Sequence, residues 1–560
     1  MLAKVSVIRS PNARRLFLGS VVVSWVVYLL ATDIRSISAS NGLTPIFLRL
    51  FEVGDRQGAL AAILVLVASA SVSGWCSVRP FLRWVGCNTA AIAIGAFIVL
   101  SAGSCFVYQN SRLSMDEYAP FFQSQIFAAG HLSGQFPVQL MDWLIPREFQ
   151  NYFFNLSSRS GEVASAYWPS FALILTPFSF LGIPWACNPA ISALTLWSMH
   201  RLALRIFKTT EAAGMAVLLT AASPVFFADG ISYYSMSAHL LANTIFVLLL
   251  MEPTPQRAFV AGIVGSVALT LHNPVPHMVF AVPWIISILR RPNMLATFGS
   301  LLAGYLPLVI LFGFGWFFYS SHLTHDGAGF SPSDSSFAQI FAQLMAVPFL
   351  PSVTLLLARV IGLAKIWTWS VPGMMLLAGW GFWRWRDNQV CVLLTASAIV
   401  TFAMYVLIPF DQGHGWGFRY FHAAWMALPI LGAAAFAPLP TVHADEGGTA
   451  MDGGLNYVVI CALLSLIVCT GLRAFQMHEF ISRQESQVPQ YAGTERRVVI
   501  VDVSYSFYGY DRVQNDPWLR GKTIRMITRG ATADAQMMRE RFPDMHFVYK
   551  DRFGSVWSTK

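Results

Sequence analysis

The segment Ser114-Met115-Asp116-Glu117-Tyr118 sets two carboxylates side by side just after an apolar run. Neighbouring residues point about 100° apart on a helix and to opposite faces of a strand, so the two cannot address one atom. One can act while the other anchors. A carboxylate beside a bilayer can serve as general base toward a hydroxyl, provided it lies within about 3 Å of the proton it takes. The same pair at a helix N-terminus also interacts favourably with the dipole without doing chemistry, and on these two residues alone both readings stand. A second set of polar residues, Asp229, His239, His272, Asn273, His277, Asp411, His414 and Arg419, falls at or near the ends of apolar runs. Ionisable groups in spans cost roughly 2.5–3.5 kcal/mol each on insertion, so their gathering on one side of a membrane points to a site. His239 and His277 have the chemistry to bind a sugar or phosphate, or to sit satisfied between helices. Tyr167 and Trp168 can stack on a sugar face or belong to an interfacial aromatic belt. His322, His325 and Asp326 offer two or three ligands to a divalent metal, fewer than zinc sites usually need, and no metal site is assigned.

The element that must position these groups is a membrane-embedded helical bundle. Of 560 residues, 55% are hydrophobic and 12% charged, a balance foreign to a water-soluble enzyme of this size. Runs long enough to cross roughly 30 Å of hydrocarbon recur between residues 16 and 474. Hydropathy predicts about thirteen transmembrane helices, so the fold class is an all-α polytopic membrane protein with a small C-terminal α/β domain. The formal charge of +9 comes from basic residues in short loops, as positive-inside topology expects, rather than from a nucleic-acid-binding stripe. Seven cysteines without a C-x-x-C pair argue against a disulfide framework or zinc site. The basic N-terminus before the first apolar run reads as an uncleaved first span.

With a cytoplasmic N-terminus, the count divides the chain into N-terminal transmembrane helices (1–107), a first large outer loop with the acidic pair (108–185), a transmembrane core (186–474) and a C-terminal domain (475–560). A further outer segment is expected over 319–366. The inner loop 438–455 carries Asp445, Glu446 and Asp452 but no Lys or Arg, against the positive-inside pattern. After Asp116-Glu117 the apolar positions suit a short interfacial helix. In the C-terminal domain, strands are expected over 497–503, 523–528 and 545–549 and a helix over 533–541. Tyr505, Phe507, Tyr508 and Tyr510 can line an acceptor groove or pack this domain onto the membrane part.

The order of motifs carries a resemblance. An apolar span, Asp116-Glu117, a helix ending Ala129-Gly130-His131-Leu132, and Tyr167-Trp168-Pro169-Ser170 before the next span resemble the C superfamily of glycosyltransferases. The protein O-mannosyltransferases and lipid A aminoarabinose transferases are members of that superfamily. Ala222-Ser223-Pro224 with Ser235-Met236-Ser237-Ala238-His239, and Gly415-Trp416-Gly417-Phe418-Arg419-Tyr420, resemble further elements of the superfamily. Asn515-Asp516-Pro517-Trp518-Leu519-Arg520-Gly521 is similar to the tail of bacterial relatives. The resemblance implies a glycosyltransferase C-type fold in a bacterial inner membrane, with the C-terminal domain periplasmic or extracellular.

The implied activity is transfer of a hexose or pentose, with inversion, from a polyprenyl-phosphate donor to a glycan, lipid or protein acceptor. Asp116 then takes the role of base, with Glu117 its orienting partner. Arg419 suits the departing phosphate, because a guanidinium grips phosphate oxygens in a bidentate way; a snorkelling arginine is the alternative. His414, Tyr420, Tyr167, Trp168, His239 and His277 complete the expected substrate-binding set. Two spans precede the acidic loop where better-known members have one, and His272-Asn273-Pro274 stands where relatives commonly carry Arg-Pro. Those departures leave the donor type open. Rival readings are a membrane transporter or lipid flippase, which inverted repeats would favour, and a non-catalytic partner of a polysaccharide assembly complex.

Overall fold

The structure is a computed structural model and describes residues 11–38, 42–73, 77–324, 351–408, 410–439, 448–506 and 508–559. Lipid offers backbone amides no partners, so the apolar runs satisfy their own hydrogen bonds as helices. Among the described residues five helical stretches are long and apolar enough to cross a membrane: Pro11–Ser36, Thr89–Phe106, Met294–Thr324, Gln389–Val406 and Asp452–Glu485. A sixth appears if Thr210–Ala221 and Pro224–Ile231, bent by 62° at their junction, form one span. The expected thirteen spans fall on helical segments, but most are too short to count. Met236–Leu250 and Val275–Leu289 have 15 residues each, roughly 22 Å at 1.5 Å per residue. Hydropathy averages over the prolines that break these runs. Pro224, for example, cannot continue the preceding helix, and Ser223 before it is extended.

Small residues let the helices approach closely. A Cβ on Gly262 would lie 2.2 Å from the Leu301 carbonyl oxygen, and one on Gly304 would lie 2.1 Å from that of Phe259. Helices Pro255–Leu269 and Met294–Leu308 therefore meet backbone to backbone. A buried ionic knot joins three other parts of the chain. Asp55 accepts from Lys365 Nζ at 2.8 Å, Arg473 Nη2 at 2.7 Å, Thr368 Oγ1 at 2.8 Å and Trp369 Nε1 at 2.6 Å. The three charged side chains are each 1% exposed. Lys365 lies on helix Val353–Thr368, within the segment 319–366 expected to be outer. The acidic inner loop finds a simple explanation at its end, where Asp452 pairs with Arg79 at 2.7 Å; Asp445 and Glu446 lie outside the described residues.

Between Thr89–Phe106 and the helix Cys187–Phe207 stands the segment expected to be the first outer loop. It holds helix Met115–Ala128 and a three-stranded antiparallel sheet, in which β3 (Glu162–Ser165) runs between β1 (Gly134–Gln135) and β2 (Phe154–Leu156). The helix is buried over most of its length. It packs against helix Ser170–Phe180 and shares an apolar core with the C-terminal segment, where β4 (Arg497–Val501) pairs in parallel with β5 (Thr523–Ile527) and antiparallel with β7 (Gly554–Ser558). The edge strand β6 (His546–Asp551) completes the sheet, and helix Ala531–Arg541 follows β5. In this sheet β7 has no counterpart in the sequence expectation, and neither do β1, β2 and β3 of the other sheet. Val498, Ile500, Ile524 and Met526 share one apolar core with Met115, Tyr118, Phe122 and Phe136 of the 108–185 segment.

Candidate functional site

The acidic pair diverges as its spacing requires. Glu117 turns inward and is fully buried. Its carboxylate accepts from Tyr108 Oη at 2.8 Å and from the amides of Leu113 and Tyr233 at 2.9 Å each, with Ser114 N at 3.4 Å. Burial pushes the carboxyl up to about 7 in spite of those donors. With no exposed surface and a full set of protein partners, Glu117 anchors the start of the helix.

Asp116 turns the other way, and its side chain keeps 23% exposure. Arg419 Nη1 donates to Oδ2 at 2.7 Å, and the Tyr167 hydroxyl donates to Oδ1. Burial alone would raise this carboxyl, but Arg419, His272 and the Tyr167 hydrogen bond outweigh it and hold it at about 2. His272 packs edge-on to Tyr167 with ring centroids 4.2 Å apart.

Arg419 is held by its own loop. Nη2 donates to the Gln412 carbonyl oxygen at 2.6 Å, and the Arg419 amide donates to Gln412 Oε1 at 2.8 Å. The guanidinium lies 4.8 Å from the Tyr234 ring centroid, a cation–π contact. Gly415 leaves room for it, since a Cβ there would fall 2.5 Å from Arg419 Nε. The side chain is 10% exposed, and its Nε has no partner among the described residues. A planar cation held on two of its three nitrogens has a fixed orientation beside Asp116, and a guanidinium so oriented can bind an oxyanion.

The remaining expected residues divide. His414 joins the cluster at one remove, with Nδ1 2.9 Å from Tyr234 Oη. Tyr420 serves as scaffold, donating to the Asp411 carbonyl oxygen at 3.0 Å and stacking on Tyr405 at 4.3 Å. Trp168 packs instead with Ala164, Trp316 and Leu323. His277 is satisfied between helices by Asn243 Oδ1 at 2.6 Å and Tyr305 Oη at 2.7 Å. His239 is buried, with both ring nitrogens lacking a partner among the described residues. Of the metal candidates, His322 ends a helix while His325 and Asp326 lie outside the described residues. No group of three or more His, Cys, Asp or Glu among the described residues is placed to hold a metal ion. Gln412, Tyr234 and Asp511 are the contributors that sequence reasoning missed. Gln412 could have been found by its place in the same loop as Arg419.

The paired Asp116 and Arg419 thus stand in a largely helical chain with several helices long and apolar enough to cross a membrane. The fold is similar to that of ArnT in solved structures. The crystal structure of ArnT from Cupriavidus metallidurans bound to undecaprenyl phosphate matches with a TM-score of 0.53 at 12% identity, covering 84% of this chain and 98% of that one. The apo form from the same organism matches with a TM-score of 0.48 at 14% identity, over 83% and 98%. No protein-family model and no curated protein matches the sequence. At such identities the likeness is one of fold.

Proposed function

We propose that the chain transfers a sugar from a polyprenyl-phosphate donor to an envelope glycan, lipid or protein acceptor at the periplasmic face of a bacterial inner membrane. The observation that carries this reading is the ion pair between Asp116 and Arg419, 303 residues apart in sequence and 2.7 Å apart in space. The shared fold of a protein crystallised with undecaprenyl phosphate supports the donor class.

In this reading the acceptor hydroxyl oxygen attacks the anomeric carbon as Asp116 takes its proton. The bond from that carbon to the phosphate oxygen breaks, the electron pair leaves with the phosphate, and the configuration inverts. Arg419 takes up the negative charge that develops on the leaving group. A carboxylate held at about 2 by its guanidinium partner is a feeble base in the resting pair. A donor phosphate that engages Arg419 draws positive charge away from Asp116 and so raises its basicity where the acceptor needs it. Donor binding therefore comes before productive acceptor binding.

The test measures transfer of label from polyprenyl-linked sugars in membranes carrying wild type, Asp116→Asn and Arg419→Ala. Loss of transfer in both variants is expected. Equal labelling by Asp116→Asn removes the proposed base.

A further inference from the structure

The helix that carries Asp116 is held from outside as well as by its own Ser114–Glu117 cap. Its first turn is gripped by the loop over 508–517, which joins β4 to β5 in the C-terminal segment. Asp511 Oδ1 accepts from the Met115 amide at 2.8 Å, one of the helix-start amides that has no partner within the helix. Gln514 Nε2 donates to the Arg112 carbonyl oxygen at 2.6 Å. The Asn515 amide donates to Tyr118 Oη at 2.7 Å, and the Tyr118 hydroxyl donates back to the Asn515 carbonyl oxygen. Arg512 lies 3.3 Å from Ser111 Oγ and 2.8 Å from Glu485. Four residues of one loop thus bind the chain on both sides of Asp116. The same loop reaches the other half of the site, where the Tyr508 ring packs edge-on to His414 with centroids 5.4 Å apart.

The geometry points to the 508–517 loop as a positioning element of the transfer site, with Asp511 the residue that fixes the aim of Asp116. Asp511 bonds the amide of the residue immediately before the carboxylate, so a loosened first turn moves Asp116 relative to Arg419 and Tyr167. Displacements of about 1 Å at such a group are enough to cost about a hundredfold in rate. The activity part of this inference rests on the glycosyltransferase reading; the structural part does not.

Full-length protein in lipid nanodiscs separates the two. Hydrogen exchange over 111–120 is followed in wild type, Asp511→Ala and Asp511→Asn, alongside transfer kinetics with an undecaprenyl-phosphate-linked sugar. Asp511→Ala is expected to speed exchange at the Met115 amide about tenfold and to lower kcat about tenfold, with KM for the donor within about twofold of wild type. Asp511→Asn keeps an oxygen for the Met115 amide and is expected to restore both to within about threefold. A merely structural contact would leave the split between kcat and KM and the asparagine rescue unobserved. Exchange and kcat unchanged in Asp511→Ala, or equal damage from Asp511→Asn, overturns the inference. Should Asp511→Ala fail to accumulate, Tyr118→Phe removes both bonds to Asn515 and is expected to give faster exchange and lower kcat at unchanged KM; no change in either overturns it as well. Absence of transfer by wild type counts against the glycosyltransferase reading, and the exchange measurements then decide this one alone.

Discussion

Replacing Arg419 by alanine removes a donor to Asp116 Oδ2, a donor to the Gln412 carbonyl oxygen, and the uncommitted Nε. In the ground state the cost is modest, because Asp116 keeps 23% exposure and regains water. The larger effect belongs to the transition state, where charge builds on the leaving phosphate. Loss of one aimed donor to such a charge costs roughly 2.7–4 kcal/mol, a fall of about 10²–10³ in kcat. Arg419→Lys keeps the charge but cannot span Asp116, Gln412 and a phosphate at once, so an intermediate loss of about tenfold is expected. The assay is single-turnover transfer from an undecaprenyl-phosphate-linked sugar with enzyme in excess, which reads chemistry without product release. Both variants within about threefold of wild type would return Arg419 to a snorkelling side chain and refute the reasoning.

Tyr167→Phe deletes the hydroxyl that donates to Asp116 and should lower kcat by about fivefold to tenfold, corresponding to about 1–1.5 kcal/mol, in the same assay. Asp116 is held at about 2, below its ordinary value, so its pairing stabilises the fold above about pH 4 and is lost as pH falls through about 2. Thermal unfolding between pH 4 and pH 2 should therefore destabilise wild type more steeply than Asp116→Asn. Glu117→Ala strands the Leu113 and Tyr233 amides and the Tyr108 hydroxyl and should cost about 3 kcal/mol or more of stability, measured by unfolding in detergent. Asp116→Asn at neutral pH should cost less than Glu117→Ala, and an equal cost would contradict the division of labour within the pair.

How far these features were legible in the sequence varies with their physics. The acidic pair was visible because two carboxylates directly follow an apolar run, and Arg419 because it sits in a glycine-rich turn ahead of another. That they pair is a long-range fact no local pattern carries. Their neighbour relation showed that Asp116 and Glu117 must diverge; which one faces the site depended on Tyr108, Leu113 and Tyr233 closing around Glu117. His277 had the composition of a ligand residue and proved to be a satisfied histidine, since Asn243 and Tyr305 on other helices take both nitrogens. Hydropathy gave no sign of where prolines break apolar runs, as at Pro224, where the helices bend by 62°. The burial of Arg359 and Lys365 on helix Val353–Thr368 was not legible, because their partners Ile408 and Asp55 lie elsewhere in the chain. Asp511 left no trace, because its bond to Met115 joins residues 396 apart.

The knot around Asp55 also constrains how the protein is made. Asp55 precedes Lys365 by 310 residues and Arg473 by 418. At roughly 5–20 residues per second, a growing chain holds that carboxylate for about 15–60 s before its first cation is synthesised. The early helices must therefore linger near the translocation machinery or keep the acid wet, and chains cut short before residue 365 should be cleared by membrane proteases.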